Sequence, residues 1–267
     1  KNNKLKLPKI VVPVHLSGQS CDMRKIKSLS REYGFSIIED ASHAIGAKYH
    51  NEYIGNCRYS DVTVFSLHPV KIITSGEGGI VTTNDKKLYT SMLKLRSHGI
   101  TKDNKELENK EMEEWYYEQQ LLGYNYRMTD IHASLGLSQL EKLDEFVEKR
   151  NEISEYYCKQ FNNLPIKLQY VSNKILSSRH LFIIRVHKSI RPHLFKTLRK
   201  NNIGVNLHYY PVHLQPYYKK LGFKVGNYIN SEQYSQEAIS LPIFPNLNRK
   251  DQNRVCKIIK EEIQKHA

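Results

Sequence analysis

The chain has 267 residues with a formal charge of +14 and 39% apolar residues, long enough to bury a core and to hold one large domain beside a smaller one. No apolar run approaches the roughly 20 residues that cross a bilayer, and the basic start Lys1-Asn2-Asn3-Lys4-Leu5-Lys6 has no long apolar stretch behind it, so neither a membrane span nor a secretory signal is read. Cys21, Cys57, Cys158 and Cys256 lack CxxC spacing and read as free thiols of a reducing cytoplasm, no metal-ligand pattern stands out, and the basic residues alternate with acids without a nucleic-acid motif.

In chain order, Val11 to Val14 reads as a strand and Met23 to Tyr33 as a helix closed by Gly34. Phe35 to Glu39, Val62 to Ser66 and Ile80 to Thr83 read as further strands, and Asp85 to Arg96 as a helix capped by Asn84 or Asp85. Continuous apolar strands alternating with helices predict an α/β fold with a mostly parallel sheet flanked by helices. Residues 101 to 120 are charged and poor in aliphatics, which predicts an exposed loop with a helical turn. Ile131, Leu135, Leu140, Leu143, Phe146, Val147, Ile153 and Tyr157 recur at three- and four-residue steps and predict a long or broken helix bridging two domains. Beyond it a small α+β domain is expected. Its strands are His180 to Val186 and Gly204 to His208, and its helices are Arg191 to Lys200, Ser231 to Ile239 and Arg249 to Lys265. The domains are drawn at 1–155 and 156–267.

The chemistry gathers at strand ends, where ligands of open α/β sheets bind. Ile37-Ile38-Glu39-Asp40 closes an apolar strand with a carboxylate, costly there unless it is paired or caps the following Ala41-Ser42-His43 segment. Val62 to Ser66 closes the next with a hydroxyl. Five residues on stands Lys71, in Ser66-Leu67-His68-Pro69-Val70-Lys71, followed by Gly76-Glu77-Gly78-Gly79, whose glycines permit close approach of backbone to a ligand. An amine able to form a Schiff base, a carboxylate able to keep a pyridinium ring an electron sink and a hydroxyl for a phosphate are the needs of a pyridoxal 5'-phosphate site. Together they point to an aminotransferase. His43 is read equally as a contact to the cofactor ring or as a packing residue.

These segments, with Glu39-Asp40-Ala41-Ser42-His43-Ala44-Ile45-Gly46-Ala47, Gly123-Tyr124-Asn125-Tyr126-Arg127-Met128, His208-Tyr209-Tyr210-Pro211-Val212-His213 and Ser240-Leu241-Pro242, resemble the DegT/DnrJ/EryC1/StrS sugar aminotransferases. The likeness runs from about Val11 to the C-terminus and is nearest to the pseudaminic acid branch of that family. It implies the PLP-transferase fold type I, with a large domain that is N-terminally incomplete here, since family members carry a further stretch before the counterpart of Val11. The expectation that follows is weak cofactor binding by this polypeptide alone, as an inactive or non-catalytic piece of a parent enzyme. The resemblance implies that Lys71 is the Schiff-base lysine, Asp40 the partner of the pyridine nitrogen, His43 a contact to the ring oxygen and Ser66 a phosphate ligand. It implies that Asn125 reaches the phosphate of a second subunit in a homodimer, and that His68, His208, Tyr209 and His213 line the sugar pocket. The implied reaction carries an amino group from L-glutamate to C4 of a UDP-linked 4-keto-6-deoxy sugar in the cytoplasm, with neither nucleic acid nor membrane as partner. A family relative that dehydrates carries His in place of the lysine, so Lys71 argues for transamination.

Overall fold

The computed structural model describes residues 7–265, so the basic opening Lys1 to Lys6, read above as no leader, lies outside the described residues. In chain order the first elements are β1 (Ile10–Val11), α1 (Met23–Tyr33), β2 (Ser36–Asp40), β3 (Lys48–Tyr49), β4 (Glu52–Tyr53), β5 (Val62–Ser66), β6 (Gly79–Thr82) and α2 (Lys86–Arg96). Next come β7 (Ile100–Thr101), β8 (Glu118–Gln119), α3 (Asp130–Leu140) and α4 (Leu143–Phe161). The chain ends with β9 (Lys167–Leu168), β10 (Ile175–Leu176), β11 (Phe182–Arg185), α5 (Arg191–Lys200), α6 (Pro216–Lys220), α7 (Ile229–Glu237), β12 (Ala238–Leu241) and α8 (Arg249–Gln264). Two compact units result. The first holds the chain up to His15, Cys21–Ile45 and Glu52–Glu141; the second holds Leu16–Ser20, Gly46–Asn51 and the chain from Lys142 onward.

In the first unit β1, β2, β5 and β6 form one sheet in that order. Its first three strands are parallel and β6 is antiparallel to β5. The mostly parallel sheet expected from the apolar runs is therefore present. The expected strand Val11 to Val14 is shorter: regular pairing covers Ile10 and Val11 only, and Val14 returns as an isolated bridge to Asp40. Pro13 lacks an N–H for the ladder, yet its carbonyl accepts from Asp40 N–H at 3.0 Å, and His15 N–H donates to Asp40 O at 3.0 Å. This holds the end of β2 in place.

Helix α1 matches its expected bounds. Asp22 caps its start by accepting from Lys25 N–H, and Gly34 donates its N–H to Ser30 O at 2.8 Å. Its Met23 is 1% exposed and anchors the helix, with Ile26 half-buried and Leu29 46% exposed. Asp85 is the cap of α2, accepting from Lys87 N–H at 2.7 Å and Leu88 N–H at 3.1 Å, a contribution of about 1 kcal/mol. The charged segment after α2 is tied at its base by β7 and β8, which pair antiparallel. Within it Leu107 N–H reaches Asp103 O at 3.2 Å, one helical turn, and Leu107 is its buried anchor.

The long periodic run is two helices. Thr129 caps α3 through His132 N–H, and the helix stops at Leu140 before α4 begins at Leu143. In the second unit β12, β11 and β9 make an antiparallel sheet in that order. Tyr157, Ile184, Leu194, Leu198, Ile239 and Ile259, none measurably exposed, form the centre of its core. Arg150 of α4 is buried with them. Its Nη1 donates to Ile243 O at 3.0 Å and to the carbonyls of Arg179 and His180 at 3.3 and 3.4 Å, and burial lowers its pKa to about 10.

Two expectations fail here for a shared reason. The helix read over Ser231 to Ile239 ends at Glu237, and Ala238 to Leu241, all buried, become β12, because Ile239 pairs with Ile184 in the sheet core. That strand occupies the position beside β11, so the strand expected over Gly204 to His208 is reduced to one bridge, Asn206 to Ser240.

Candidate active site

The register of the first sheet decides which side chains meet. Asp40 lies opposite Val64 on the parallel neighbour, and Glu39 opposite Thr63. Because strand side chains alternate, Asp40, Val64 and Ser66 share one face and Glu39 and Thr63 the other. Two successive acids on β2 thus enter different environments.

On the first face, the chain leaves β5 at Ser66 and makes a loop closed by Leu67, whose N–H donates to Gly78 O at 2.9 Å and whose carbonyl accepts from Ser75 N–H at 3.0 Å. The Thr74 hydroxyl adds a bond to the same carbonyl at 2.9 Å. Inside this loop Lys71 N–H donates to His68 O at 2.9 Å, a tight turn that returns Lys71 towards the sheet. The Lys71 side chain is half-buried. Burial lowers its pKa below the ordinary value of 10.5, and the charge of Asp40 draws it partly back. Asp40 therefore acts on Lys71 across the two strand ends. Asp40 Oδ1 accepts from Ser42 N–H at 3.0 Å, and its other oxygen carries no hydrogen bond among the described residues. The Ser66 hydroxyl accepts from His68 N–H at 3.4 Å. Gly78 lies so close that a Cβ there would stand 2.6 Å from Ser75 Oγ and 2.4 Å from Met128 Cε.

His43 is buried in the turn that follows, where Ala44 N–H donates to Ala41 O at 2.8 Å. His68 is exposed, with Nε2 3.7 Å from Glu77 Oε1. Asn125 is exposed too and sits in an isolated antiparallel bridge with Ser97, apart from the Lys71 loop in the ladder. In the second unit His208 Nδ1 is 2.8 Å from Ser240 Oγ, and its carbonyl accepts from Tyr234 OH at 2.9 Å. Tyr209 is 51% exposed. His213 is buried with Nε2 2.8 Å from Glu232 Oε1, whose carboxylate also accepts from Gly226 and Tyr228 N–H groups. The structure gives His213 a fixed partner within its own unit.

The opposite face holds a cluster that the motif reading passed over. His15 is fully buried, and its Nε2 lies 2.7 Å from Glu39 Oε2. Glu39 Oε1 accepts from the Ser60 hydroxyl and, at 3.3 Å, from Thr63. Cys21 N–H donates to His15 Nδ1 at 3.1 Å. Burial opposes protonation of the ring, while the side chains of Cys21 and Glu39 act to raise its pKa. The N–H received at Nδ1 opposes that rise, because a protonated ring accepts nothing there. The hydrogen bonds require the neutral ring with its proton on Nε2. For Glu39 burial acts upward, but the bonds from His15 and Ser60 outweigh it and hold the carboxyl below the usual range. A histidine leaving one strand and an acid near the end of the next was the available signal.

The donor set on the Asp40 face fits pyridoxal phosphate by its chemistry: an amine of depressed basicity, a carboxylate with an uncommitted oxygen, a strand-end hydroxyl, and glycine backbone that a side chain would crowd. Residues 3–260 match the model of the DegT/DnrJ/EryC1/StrS aminotransferase family. The UDP-4-amino-4,6-dideoxy-N-acetyl-beta-L-altrosamine transaminase of Campylobacter jejuni is 38% identical over 245 residues, covering 89% of this chain and 61% of the relative. Helicobacter pylori PseC, an aminotransferase involved in the biosynthesis of pseudoaminic acid, superposes with a TM-score of 0.87 at 30% identity, over 95% of this chain and 66% of that one. The putative sugar aminotransferase Spr1654 of Streptococcus pneumoniae, in its PMP-form, gives 0.87 at 29% identity, over 97% and 70% of the two chains. The same protein is also known in a PLP-form. The chain thus spans roughly two thirds of the length of these relatives.

Proposed function

We propose that this chain, which belongs to the DegT/DnrJ/EryC1/StrS aminotransferase family, carries the cofactor lysine and carboxylate of a nucleotide-sugar aminotransferase. Aminotransferases of this family use pyridoxal phosphate, and the fold of the chain is that of its pyridoxal phosphate-dependent structural neighbours. The reading rests above all on Lys71, whose lowered basicity and electrostatic coupling to Asp40 join the two strand ends.

When bound, the cofactor supplies an electron sink for charge developing at the Cα of an amino donor. Lys71 is the residue that would hold its aldehyde carbon, Asp40 its ring nitrogen and Ser66 its phosphate, with His43 at the ring edge. The chain's own work is proton handling and orientation. Burial lowers the pKa of the Lys71 amine toward the range in which a general base both takes and returns a proton. With the cofactor bound, the amine would take the proton from the donor Cα and deliver it to the cofactor carbon that the lysine had held. Asp40, anchored by Ser42 N–H and by main-chain bonds to Pro13 and His15, keeps a negative charge where a cationic ring nitrogen is wanted.

The finer reading takes L-glutamate as donor and C4 of a UDP-linked 4-keto-6-deoxy sugar as acceptor, supported by the likeness to the Campylobacter transaminase and to PseC. His68, His208, Tyr209 and His213 are assigned to the sugar side. The assembly is a homodimer in which Asn125 serves the neighbouring site. Asn125 is exposed in a stretch with Leu122 90%, Tyr126 71% and Ile131 81% exposed, apolar surface that a second copy would cover. The cytoplasm, where nucleotide sugars are made, is the proposed location.

The test is direct. Protein loaded with pyridoxal phosphate and reduced with borohydride should carry a pyridoxyl group on the peptide containing Lys71, and L-glutamate should yield 2-oxoglutarate in stoichiometric amount. A label on another lysine, or none, refutes the assignment of Lys71. Release of 2-oxoglutarate without amination of the UDP-linked keto sugar leaves the site standing and refutes the acceptor.

A further inference from the structure

The second unit contains a cavity that shares no residue with the sites assigned above. Its volume is about 260 Å³, and Ser17, Lys167, Gln169 and Arg185 give it polar walls while Leu168 and Tyr234 give it apolar ones. Two observations mark it as more than a packing gap. Ser17 is fully buried, and its hydroxyl has no hydrogen-bond partner among the described residues. A buried hydroxyl without a partner is expensive, so proteins rarely keep one without use. The same residue holds φ of 63° inside a turn over Leu16–Gly18, a left-handed backbone that favours glycine. Strain and an unmet hydroxyl coincide at one position.

The charges select the ligand. Arg185 places both Nε and Nη2 on Glu237 Oε2, at 3.1 and 2.7 Å, so the fork is fixed by one carboxylate oxygen while Nη1 is left for another acceptor. Lys167, opposite Arg185 in the β9–β11 register, stands exposed at the rim and acts electrostatically on the same Glu237. Two cations against one carboxylate leave a single positive charge. Tyr234 contributes its ring, with Arg185 5.8 Å from the centroid, while its hydroxyl is spent on His208 O at 2.9 Å. The volume falls just below the usual range for drug-sized ligands.

We infer that this cavity is a binding site for a small monocarboxylate with an aromatic or branched apolar body. The carboxylate accepts from Arg185 Nη1, Lys167 and the Ser17 hydroxyl, and the body rests against Leu168 and Tyr234. The site goes beyond the proposed transamination and does not depend on it.

Sodium benzoate is the probe, titrated into the full chain by calorimetry and by ligand-observed NMR, with benzamide as the uncharged control. Saturable benzoate binding is expected, about tenfold or more tighter than benzamide, as one charge-assisted hydrogen bond implies. Ser17→Ala should weaken benzoate about tenfold while the melting temperature holds or rises, since the substitution deletes an unmet hydroxyl. A structural serine would give the opposite sign in the melt. Lys167→Gln, at an exposed position, should weaken binding without touching the fold, most visibly at low salt. Absence of saturable benzoate binding overturns the proposal. So does benzoate binding that neither Ser17→Ala nor Lys167→Gln changes.

Discussion

His15→Ala offers the sharpest test of how the first sheet is held. The imidazole is fully buried and makes two hydrogen bonds, Nε2 to Glu39 at 2.7 Å and Nδ1 from Cys21 N–H at 3.1 Å. Its removal breaks a charge-assisted bond, in general about 1.5–3 kcal/mol, and strands the Cys21 N–H, about 1–3 kcal/mol if water does not enter. Glu39 keeps Ser60 and Thr63, which limits the damage to the carboxylate itself. The expected loss is about 3–5 kcal/mol, the broken bond to the carboxylate and the stranded N–H taken together. Urea unfolding followed by circular dichroism reads the loss, and hydrogen exchange by mass spectrometry locates it. Amides of β2 and β5 should lose protection first. Glu39→Gln keeps the shape and an acceptor for Ser60, so it should cost less than His15→Ala. A change below about 1 kcal/mol for His15→Ala, less than either lost hydrogen bond alone should cost, would refute the view that this cluster holds the strand bearing Asp40.

Asp40→Asn should lower the pKa of the Lys71 amine further, since burial remains and the attraction of the carboxylate is lost; NMR of reductively methylated protein reads the direction, and an unchanged or raised value would sever the proposed coupling. Lys71→Ala should abolish borohydride-dependent pyridoxyl labelling while leaving the melting temperature close to the parent, because the side chain is only half-buried on a loop. Glu39 has a depressed carboxyl, so the unfolded chain takes its proton at higher pH than the fold. Its contribution is present above the ordinary value near 4.5 and lost as pH falls through the lowered one, and Glu39→Gln should flatten the acid limb of stability against pH. Gly99→Ala should loosen the base of the 101–120 segment, for Gly99 has φ of +72° and a Cβ would lie 1.7 Å from Leu121 O; limited proteolysis within that segment should accelerate several-fold.

The parts of the fold that were legible in the sequence are those where local signals and burial agree. Helix α1 and helix α5 match their expected bounds, and α2 differs by one residue; caps and apolar spacing agree in α1 and α2, and Pro192 sits in the first turn of α5. The exceptions are instructive. Ala238 to Leu241 follow a helical pattern directly, yet the sheet core claims them, with Ile239 paired to Ile184 and both fully buried. The periodic run after Thr129 reads as continuous because Leu140 and Leu143 keep the spacing; only the backbone between them departs. Asp40, Ser66 and Lys71, the residues of the proposed site, are picked out in the sequence by strand ends and spacing. His15 and Ser17 escape because their meaning lies in burial: nothing in their neighbours in sequence says that one ring will face Glu39 or that one hydroxyl will face nothing.

The consecutive acids of β2 frame the argument for the candidate site. Glu39 and Asp40 are equal in charge and one residue apart, and alternation sends them to opposite faces. Glu39 meets a ring nitrogen and two hydroxyls, so its charge is fully answered within the fold. Asp40 receives one main-chain N–H on one oxygen and the charge of a half-buried lysine at the next strand end. A strand end with a carboxylate under-supplied in hydrogen bonds costs stability unless a cation completes it. Lys71 answers that need only in part, since burial still keeps its pKa down. In the proposed site a protonated ring nitrogen would answer Asp40, and Lys71, its basicity lowered by burial, would hold the aldehyde carbon.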